Sequence, residues 1–441
     1  MSDELPNETT PLLGPTQVPE SSSLPVPATA VPTPHRVHFL DNLRATLTIL
    51  LILHHSALET VYKRNYSDQY TKSQLLPFSL FTAINKSYLW SLFFFTSGYS
   101  TSLSLLSKSS DRHFLKSRTL KIGLPALVYA YGGHLILFLY LAFGWEDIFG
   151  SYKAGWAFIR LSGPIDYVAI LLVLDYIHLC VRWTRRRWPE RFAIISNSRI
   201  FNLLRPTSRL RFYTLVTSFM TILVVFTFLS CIGIHLPPNV IFFAFPYDHP
   251  GVDVPLSGVI AYLTGVHFSS IRRYLTIKPS LAYATLFLST FVAYLSMAVV
   301  QSISPPLWRF IELPTLFSSI YFFIDGGFNP HTIFFTFWNA LVFLTIPISL
   351  ISIFAQAPWA TRDWGFWTRH TYTQTYINMI FILIAIHRFQ SIHNLFIRTV
   401  LVGIFGVIGS WLMVYTPILT LRAVEYLVRR YHRVLGVSDS P

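Results

Sequence analysis

The sequence predicts an all-α, polytopic membrane protein of about ten transmembrane helices, with both termini in the cytosol. Of its 441 residues, 52% are hydrophobic and only 12% are charged, whereas about 25% of residues are charged in soluble globular proteins. Apolar stretches of about twenty residues, long enough to cross a ~30 Å hydrocarbon layer as helix, recur from residue 43 almost to the end. Together these observations exclude a soluble enzyme.

The apolar stretches are separated by polar segments and by Gly and Pro, and these breaks set the predicted spans. The spans are expected near 43–62, 88–106, 122–143, 165–181, 212–236, 256–271, 281–303, 331–355, 371–387 and 399–420. The apolar stretch 310–324 is interrupted by Glu312 and Pro314. It is interpreted as a re-entrant segment, an interfacial helix or an eleventh span.

Basic residues in the connectors decide the orientation. Translocation of short loops rich in Lys and Arg is disfavoured, and most of the 34 Lys and Arg residues face the cytosol when the N-terminus is inside. The same spread argues against a nucleic-acid partner, because a formal charge of +14 is divided among connectors instead of forming one basic face. The bilayer is the expected partner, in an endomembrane or the plasma membrane.

Composition divides the chain into three parts. Residues 1–35 are rich in Pro, Ser and Thr, which predicts a disordered cytosolic tail. Residues 36–425 form the predicted transmembrane domain, and 426–441 a cytosolic C-terminal tail. The two cysteines, Cys180 and Cys231, are predicted near opposite membrane faces, so neither a disulfide nor a cysteine metal site is expected.

The first predicted span carries ionisable residues that need an explanation. Such side chains cost at least ~2.5 kcal/mol at mid-membrane on insertion scales. Arg44 and His55 are eleven residues apart, which places them on one helix face about 16 Å from each other. Glu59 follows His55 by four residues and extends this stripe.

This stripe has a chemical interpretation and a structural one. A carboxylate such as Glu59 would fix the tautomer of His55 and raise its basicity, as a general base for a hydroxyl requires. Arg44, nearer the cytosol, would hold an anionic group of a donor molecule. In the structural interpretation Arg44 extends to the cytosolic headgroups and His55 is a buried histidine satisfied by a neighbouring helix.

The segments that follow favour the chemical interpretation. Arg44 and His55 are followed by Phe-Phe-x-x-Ser-Gly-aromatic at residues 93–99 and by a basic-x-x-basic element, Arg118 and Lys121, that leads to a proline. This order and spacing over residues 39–125 resembles the integral-membrane acyltransferase family 3. The opening Phe39-Leu40-Asp41-Asn42-Leu43-Arg44 resembles the start of its glucan-modifying subgroup.

The resemblance implies an activity and a set of site residues. It implies transfer of an acyl group, commonly acetyl, from acyl-CoA as co-substrate to a hydroxyl-bearing acceptor, with no bound cofactor. His55 would be essential and Arg44 would support it, while Arg118 and Lys121 would lie near the donor. The spacing adds Glu59 as a catalytic carboxylate beside His55. Asp41, Ser97 and Gly98 would have supporting roles, and no metal is expected.

The sequence also departs from the family pattern at three positions. The second basic residue of the pair is Lys121 where an arginine is usual, which keeps the charge but loses bidentate geometry. Asp166 replaces the usual tryptophan in the Gly-Pro-x-Trp-aromatic element that opens the fourth span. Met379 stands where a Tyr-x-x-His element often has histidine. These departures suggest a different acceptor or impaired activity.

Two other functions stay open at this stage. One is a proton-coupled transporter that uses Arg44, His55 and Glu59 as a charge relay, and the other is a catalytically silent member of the family. Glucan, glycolipid, secondary metabolite and lipid acceptors are not distinguished by the sequence. Asp175 and His178, three residues apart on the fourth predicted span, are expected to pair with each other.

The predicted topology can be tested by glycosylation. Asn65-Tyr66-Ser67 is an acceptor pattern in the first non-cytosolic loop, and Asn7-Glu8-Thr9 is one in the cytosolic tail. Glycosidase treatment is therefore expected to shift the mass of a variant that keeps only Asn65 and to leave unchanged a variant that keeps only Asn7. A mass shift in the Asn7 variant would contradict the predicted topology and indicate the opposite one.

Overall fold

The described part of the chain is almost entirely helical, which confirms the all-helical fold class. The computed structural model describes residues 37–62, 72–107, 110–129, 131–132, 154–196, 208–231, 253–303, 330–368 and 370–434. No strand occurs within these ranges. The predicted N-terminal tail and the stretch 310–324 lie outside them.

The helices are numbered here in chain order. They are α1 (His38–Tyr62), α2 (Lys72–Ser107), α3 (Asp111–Arg118), α4 (Ala154–Arg187), α5 (Pro189–Ser196), α6 (Arg209–Cys231), α7 (Asp253–Val266), α8 (Phe268–Leu275), α9 (Pro279–Ile303), α10 (Pro330–Gln356), α11 (Pro358–Thr361), α12 (Thr371–Arg388) and α13 (Leu395–Val434). A π-helical turn, Thr119–Gly123, follows α3, and a 3-10 turn, Gly365–Thr368, precedes α12.

Helix α2 begins at Lys72, well before the predicted start at residue 88. Its first turns mix polar and apolar residues, which lowers the hydropathy of the segment. The tertiary structure buries one side of them, since Leu75 and Phe78 pack against Ala57 of α1 and Leu395 of α13. Packing from three helices thus stabilises a helical segment that hydropathy alone does not predict.

Helix α13 also exceeds its prediction. It continues without interruption to Val434, through Pro417 and past the predicted end at residue 420. Residues 426–434, placed by the sequence in a C-terminal tail, are therefore helical. The predicted span 122–143 is described only as far as residue 132.

Five of the described helices are long and apolar enough to cross a membrane. They are α4, α6, α9, α10 and α13. The share of the apolar segment buried inside the protein is 61% in α10 but only 17% in α6 and in α9, so α10 is central and the other two are peripheral. Helix α1 is not among the five, because its polar residues lower its hydropathy.

Helices α2 and α7 approach each other closely at two glycines. A Cβ atom at Gly98 of α2 would overlap the carbonyl oxygen of Tyr262, and one at Gly265 of α7 would overlap that of Phe95. Apolar helices surrounded by lipid gain little from the hydrophobic effect when they associate, so close contact through small residues is a main source of their affinity. This crossing fixes the part of α2 that carries Ser97.

Helix α1 is held from several sides. Asn42 donates hydrogen bonds to the carbonyl oxygens of Ala360 (2.7 Å) and Arg362 (2.6 Å) in the connector between α10 and α12. On α13, Gly403 packs against Leu53 of α1, and Gly406 lies against both α1 and α12. Helices α1, α2 and α12 are thereby brought together around the polar residues of α1.

The glycine crossing gives a prediction for stability. Gly265→Ala is expected to lower the free energy of unfolding by about 1–3 kcal/mol, because the added methyl group forces α7 away from α2. Thermal unfolding of the purified protein in detergent measures the change. Gly132→Ala is the matched control, since no atom of the described residues lies within 4 Å of a Cβ atom placed there. Equal unfolding midpoints for the two variants would contradict the close crossing.

Candidate active site

The guanidinium of Arg44 lies in the polar interior between α1, α2 and α12. Its Nη2 donates to the carbonyl oxygen of Thr96 at 2.8 Å and to Oγ of Ser100. Its Nη1 is 3.7 Å from Oδ1 of Asp41, and the guanidinium carbon is 5.7 Å from the ring centroid of Tyr372. Arg44 is therefore directed into the bundle, and its charge has partners on three helices.

His55 lies at the other end of the same stripe and contacts Asn378 of α12. The distance between Nδ1 of His55 and Oδ1 of Asn378 is 3.3 Å. The amide nitrogen of Asn378 donates to the carbonyl oxygens of Gln374 (3.2 Å) and Thr375 (2.9 Å) of its own helix. Because these bonds orient the amide, its oxygen faces His55 and accepts a hydrogen bond from Nδ1–H.

This contact defines the tautomer of neutral His55. A neutral imidazole carries one proton, and here that proton is on Nδ1, so Nε2 is the basic nitrogen. Asn378 is fully buried, which keeps water from competing for the contact. A general base needs such an arrangement, in which a neighbouring group fixes the orientation of the ring.

Ser97 is the middle member of a chain of three hydroxyl groups. Its Oγ is 2.8 Å from the hydroxyl of Tyr167 and 2.9 Å from that of Tyr372, and Tyr167 donates to the carbonyl oxygen of Phe93 at 3.2 Å. Since each hydroxyl has one proton, Ser97 donates to Tyr167 and accepts from Tyr372. The proton of Ser97 is thus directed at a phenol and not at a base.

The two residues of the basic element differ in environment. Arg118 has a side chain only 13% exposed, and its Nε donates to Oδ2 of Asp175 at 2.8 Å. Burial by itself would lower the pKa of the Arg118 guanidinium, but the Asp175 carboxylate together with Tyr372 and Tyr167 raises that pKa above its usual value. Lys121, on the π-helical turn, is exposed. The arginine is an internal residue and the lysine a surface one.

Asp175 has partners other than the one expected from its spacing. Its fully buried carboxylate accepts hydrogen bonds from Thr101 of α2 (2.7 Å), Tyr262 of α7 (2.6 Å) and Arg118. The prediction that Asp175 mainly pairs with His178 is therefore wrong. Local spacing suggested a neighbour on the same helix, whereas the tertiary structure supplies stronger donors from three other elements.

The structure brings three of the predicted site residues together, while His55 lies at the other end of the stripe and Lys121 is on the surface. Arg44 and Ser97 both contact Tyr372, and Asp41 lies beside Arg44. Gly98 has a packing role at the crossing of α2 with α7. Glu59 is in α1, but its side chain lies outside the described residues, as does that of Asp166. In the described ranges no three His, Cys, Asp or Glu side chains cluster as metal ligands would.

Three residues of the site were not singled out by the sequence: Asn378, Tyr372 and Tyr262. A signal for the first was present, because Gln374 and Asn378 are four residues apart on an otherwise apolar helix and share its buried face. Asn378 directly precedes Met379, the position at which a histidine was expected by resemblance. Met379 is buried, and the polar contact with His55 is made by its neighbour Asn378.

Comparisons with family models, with curated proteins and with solved structures find no match to this chain.

Proposed function

We propose that this protein is a membrane O-acyltransferase that moves an acyl group, in the simplest case acetyl, from acyl-CoA to a hydroxyl-bearing acceptor. The observation that carries the proposal is the contact of His55 with Asn378, which orients the ring of a histidine in an apolar helix and makes Nε2 its basic nitrogen. The same contact also satisfies the hydrogen-bonding need of a buried ring, and the spacing of Arg44, His55 and the motifs that follow them is what favours catalysis over a structural role. The motif resemblance supplies the reaction class, and the acceptor would be a carbohydrate, a lipid or a secondary metabolite.

The proposed reaction is a direct transfer. Nε2 of His55 removes the proton of the acceptor hydroxyl while the acceptor oxygen attacks the thioester carbonyl carbon. The bond between that carbon and the CoA sulfur then breaks, and the proton held by His55 passes to the departing thiolate. Arg44 and Lys121 supply positive charge for the phosphate groups of the donor.

The separation of the two polar ends of α1 fits such a donor. Arg44 and His55 are about 16 Å apart along the helix, and the phosphates of CoA are separated from its thioester by the long pantetheine arm. An anionic group held toward Arg44 therefore leaves the acyl group free to reach His55. Burial of the site limits hydrolysis of the thioester by water.

Substitution of His55 tests the proposal. His55→Gln is expected to lower turnover by about 10²–10⁴-fold, the usual contribution of general-base catalysis, because the amide has no basic nitrogen. The measurement uses purified protein in nanodiscs, acetyl-CoA labelled in the acetyl group, and a lipid and glycan extract of cells that lack the protein. The control is His113→Gln, an exposed position on α3.

The possible outcomes separate the functions. Unchanged transfer by His55→Gln would remove His55 as the base. A wild-type protein that releases no CoA but takes up solutes into proteoliposomes would support the proton-coupled transporter instead. Neither signal in the wild-type protein would support a catalytically silent member of the family.

The hydroxyl chain around Ser97 predicts that no acyl-serine forms. The Ser97 hydroxyl donates its hydrogen bond to Tyr167. It therefore lacks the adjacent base that nucleophilic catalysis by serine requires. Intact-mass measurement after incubation with acetyl-CoA alone is expected to show no acetylated Ser97, and Ser97→Ala is expected to keep measurable turnover. An acetyl group mapped to Ser97 and lost in Ser97→Ala would contradict direct transfer.

A further inference from the structure

The buried carboxylate of Asp175 joins four elements of the bundle. It accepts hydrogen bonds from Thr101 of α2, Tyr262 of α7 and Arg118 at the end of α3, while Asp175 itself is on α4. Its relative exposure is 0%, and a carboxylate so buried requires a charged partner and full hydrogen bonding. Arg118 is the cation that meets this requirement.

Helix α3 lies along α4 with ion pairs at both ends. At its start Asp111 pairs with Arg182 (3.4 Å) and Arg186 (2.7 Å), and at its end Arg118 pairs with Asp175. Between the two ends Phe114 of α3 packs with Leu179 of α4 and Leu105 of α2. The acid and base are reversed between the ends, so only the antiparallel orientation satisfies both.

The two ends of α3 differ in burial. Asp111 has a side chain 27% exposed and Arg186 one 58% exposed, whereas Asp175 is fully buried and the Arg118 side chain is 13% exposed. Ion pairs at exposed positions contribute little to stability or position. The contact that fixes the end of α3 is therefore the buried one.

Arg118 also acts on the candidate active site. Its Nη2 is 3.5 Å from Oγ1 of Thr101, on the segment of α2 that also carries Ser97 and Ser100. Its charge also acts on the phenols of Tyr167 and Tyr372, as that of Arg44 does. These are the two hydroxyls bonded to Ser97. The Arg118 side chain is thus a physical link between Asp175 and the polar cluster that contains Arg44.

We propose that Asp175 is a positioning residue of the acyl-transfer site, which holds the Arg118 guanidinium against Thr101 of α2 and thereby fixes the neighbouring polar cluster that contains Arg44. This inference rests on the proposed function and adds a residue to it. Asp175 acts through Arg118 and touches neither donor nor acceptor.

A double-mutant cycle tests this role. Asp175→Asn keeps an oxygen that accepts from Thr101 and Tyr262 but loses the charge that holds Arg118, and Arg118→Gln removes the other partner. Each single variant is expected to lower kcat/KM for acetyl-CoA by about ten- to a hundred-fold, the order of loss that misplacement by ~1 Å produces. The double variant is expected to be no worse than the poorer single one, because both remove the same contact.

Two further variants distinguish a loss of positioning from a failure to fold. Tyr262→Phe removes one neutral hydrogen bond to Asp175 and leaves its charge pair, so a smaller fall in the same direction is expected. Asp111→Asn is the matched control: it breaks the ion pairs at the exposed end of the same helix pair, and both kcat/KM and the thermal midpoint should stay unchanged. All five variants are measured as folded protein in nanodiscs, with thermal midpoints recorded beside the kinetics.

The results distinguish this inference from the proposed function. Wild-type turnover with an unchanged kcat/KM in Asp175→Asn and Tyr262→Phe would overturn the positioning role alone, even if their thermal midpoints fell. Effects of Asp175→Asn and Arg118→Gln that multiply in the double variant would also overturn it, since Asp175 would then act independently of Arg118. Absence of acetyl-CoA turnover in the wild-type protein would remove the proposed function and this inference with it.

Discussion

A charged group buried among apolar helices is stable only when other groups of the protein satisfy it. The contact between Asp175 and Arg118 meets this condition for two charges at once, with Thr101 and Tyr262 completing the coordination of the carboxylate. Four elements contribute to this one cluster, so their relative positions are fixed together. The polar interior next to it, with Ser97 and the two phenols, depends on that arrangement.

Helix α12 connects the two ends of the candidate site. Tyr372 near its start contacts Arg44 and Ser97, and Asn378 further along contacts His55. Arg44 and His55 of α1 are therefore both matched by polar groups on one neighbouring helix. The apolar residues between them allow close packing, and Gly406 of α13 lies against both α1 and α12. A small movement of α12 would therefore change the surroundings of His55 and of Arg44 together.

The proposed chemistry follows from how protons are distributed in this interior. Asn378 accepts from Nδ1 of His55, which makes Nε2 basic, whereas the chain from Tyr372 through Ser97 and Tyr167 ends on a backbone carbonyl. Nε2 of His55 can accept a proton, whereas the hydroxyl proton of Ser97 is already in a hydrogen bond. This difference favours His55 as a base over Ser97 as a nucleophile, and it makes direct transfer the simpler mechanism.

Much of this was determined by the sequence, because hydropathy and helical periodicity act over short distances along the chain. The apolar stretches located the helices, and the eleven-residue spacing placed Arg44 and His55 on one helix face. Local patterns did not reveal that Asn378 orients His55, that Arg118 is internal while Lys121 is exposed, or that Asp175 bonds to three other elements. Only the tertiary structure decided these contacts, since each joins residues far apart in the chain. A buried polar group takes whichever partner the packed helices bring within hydrogen-bond distance.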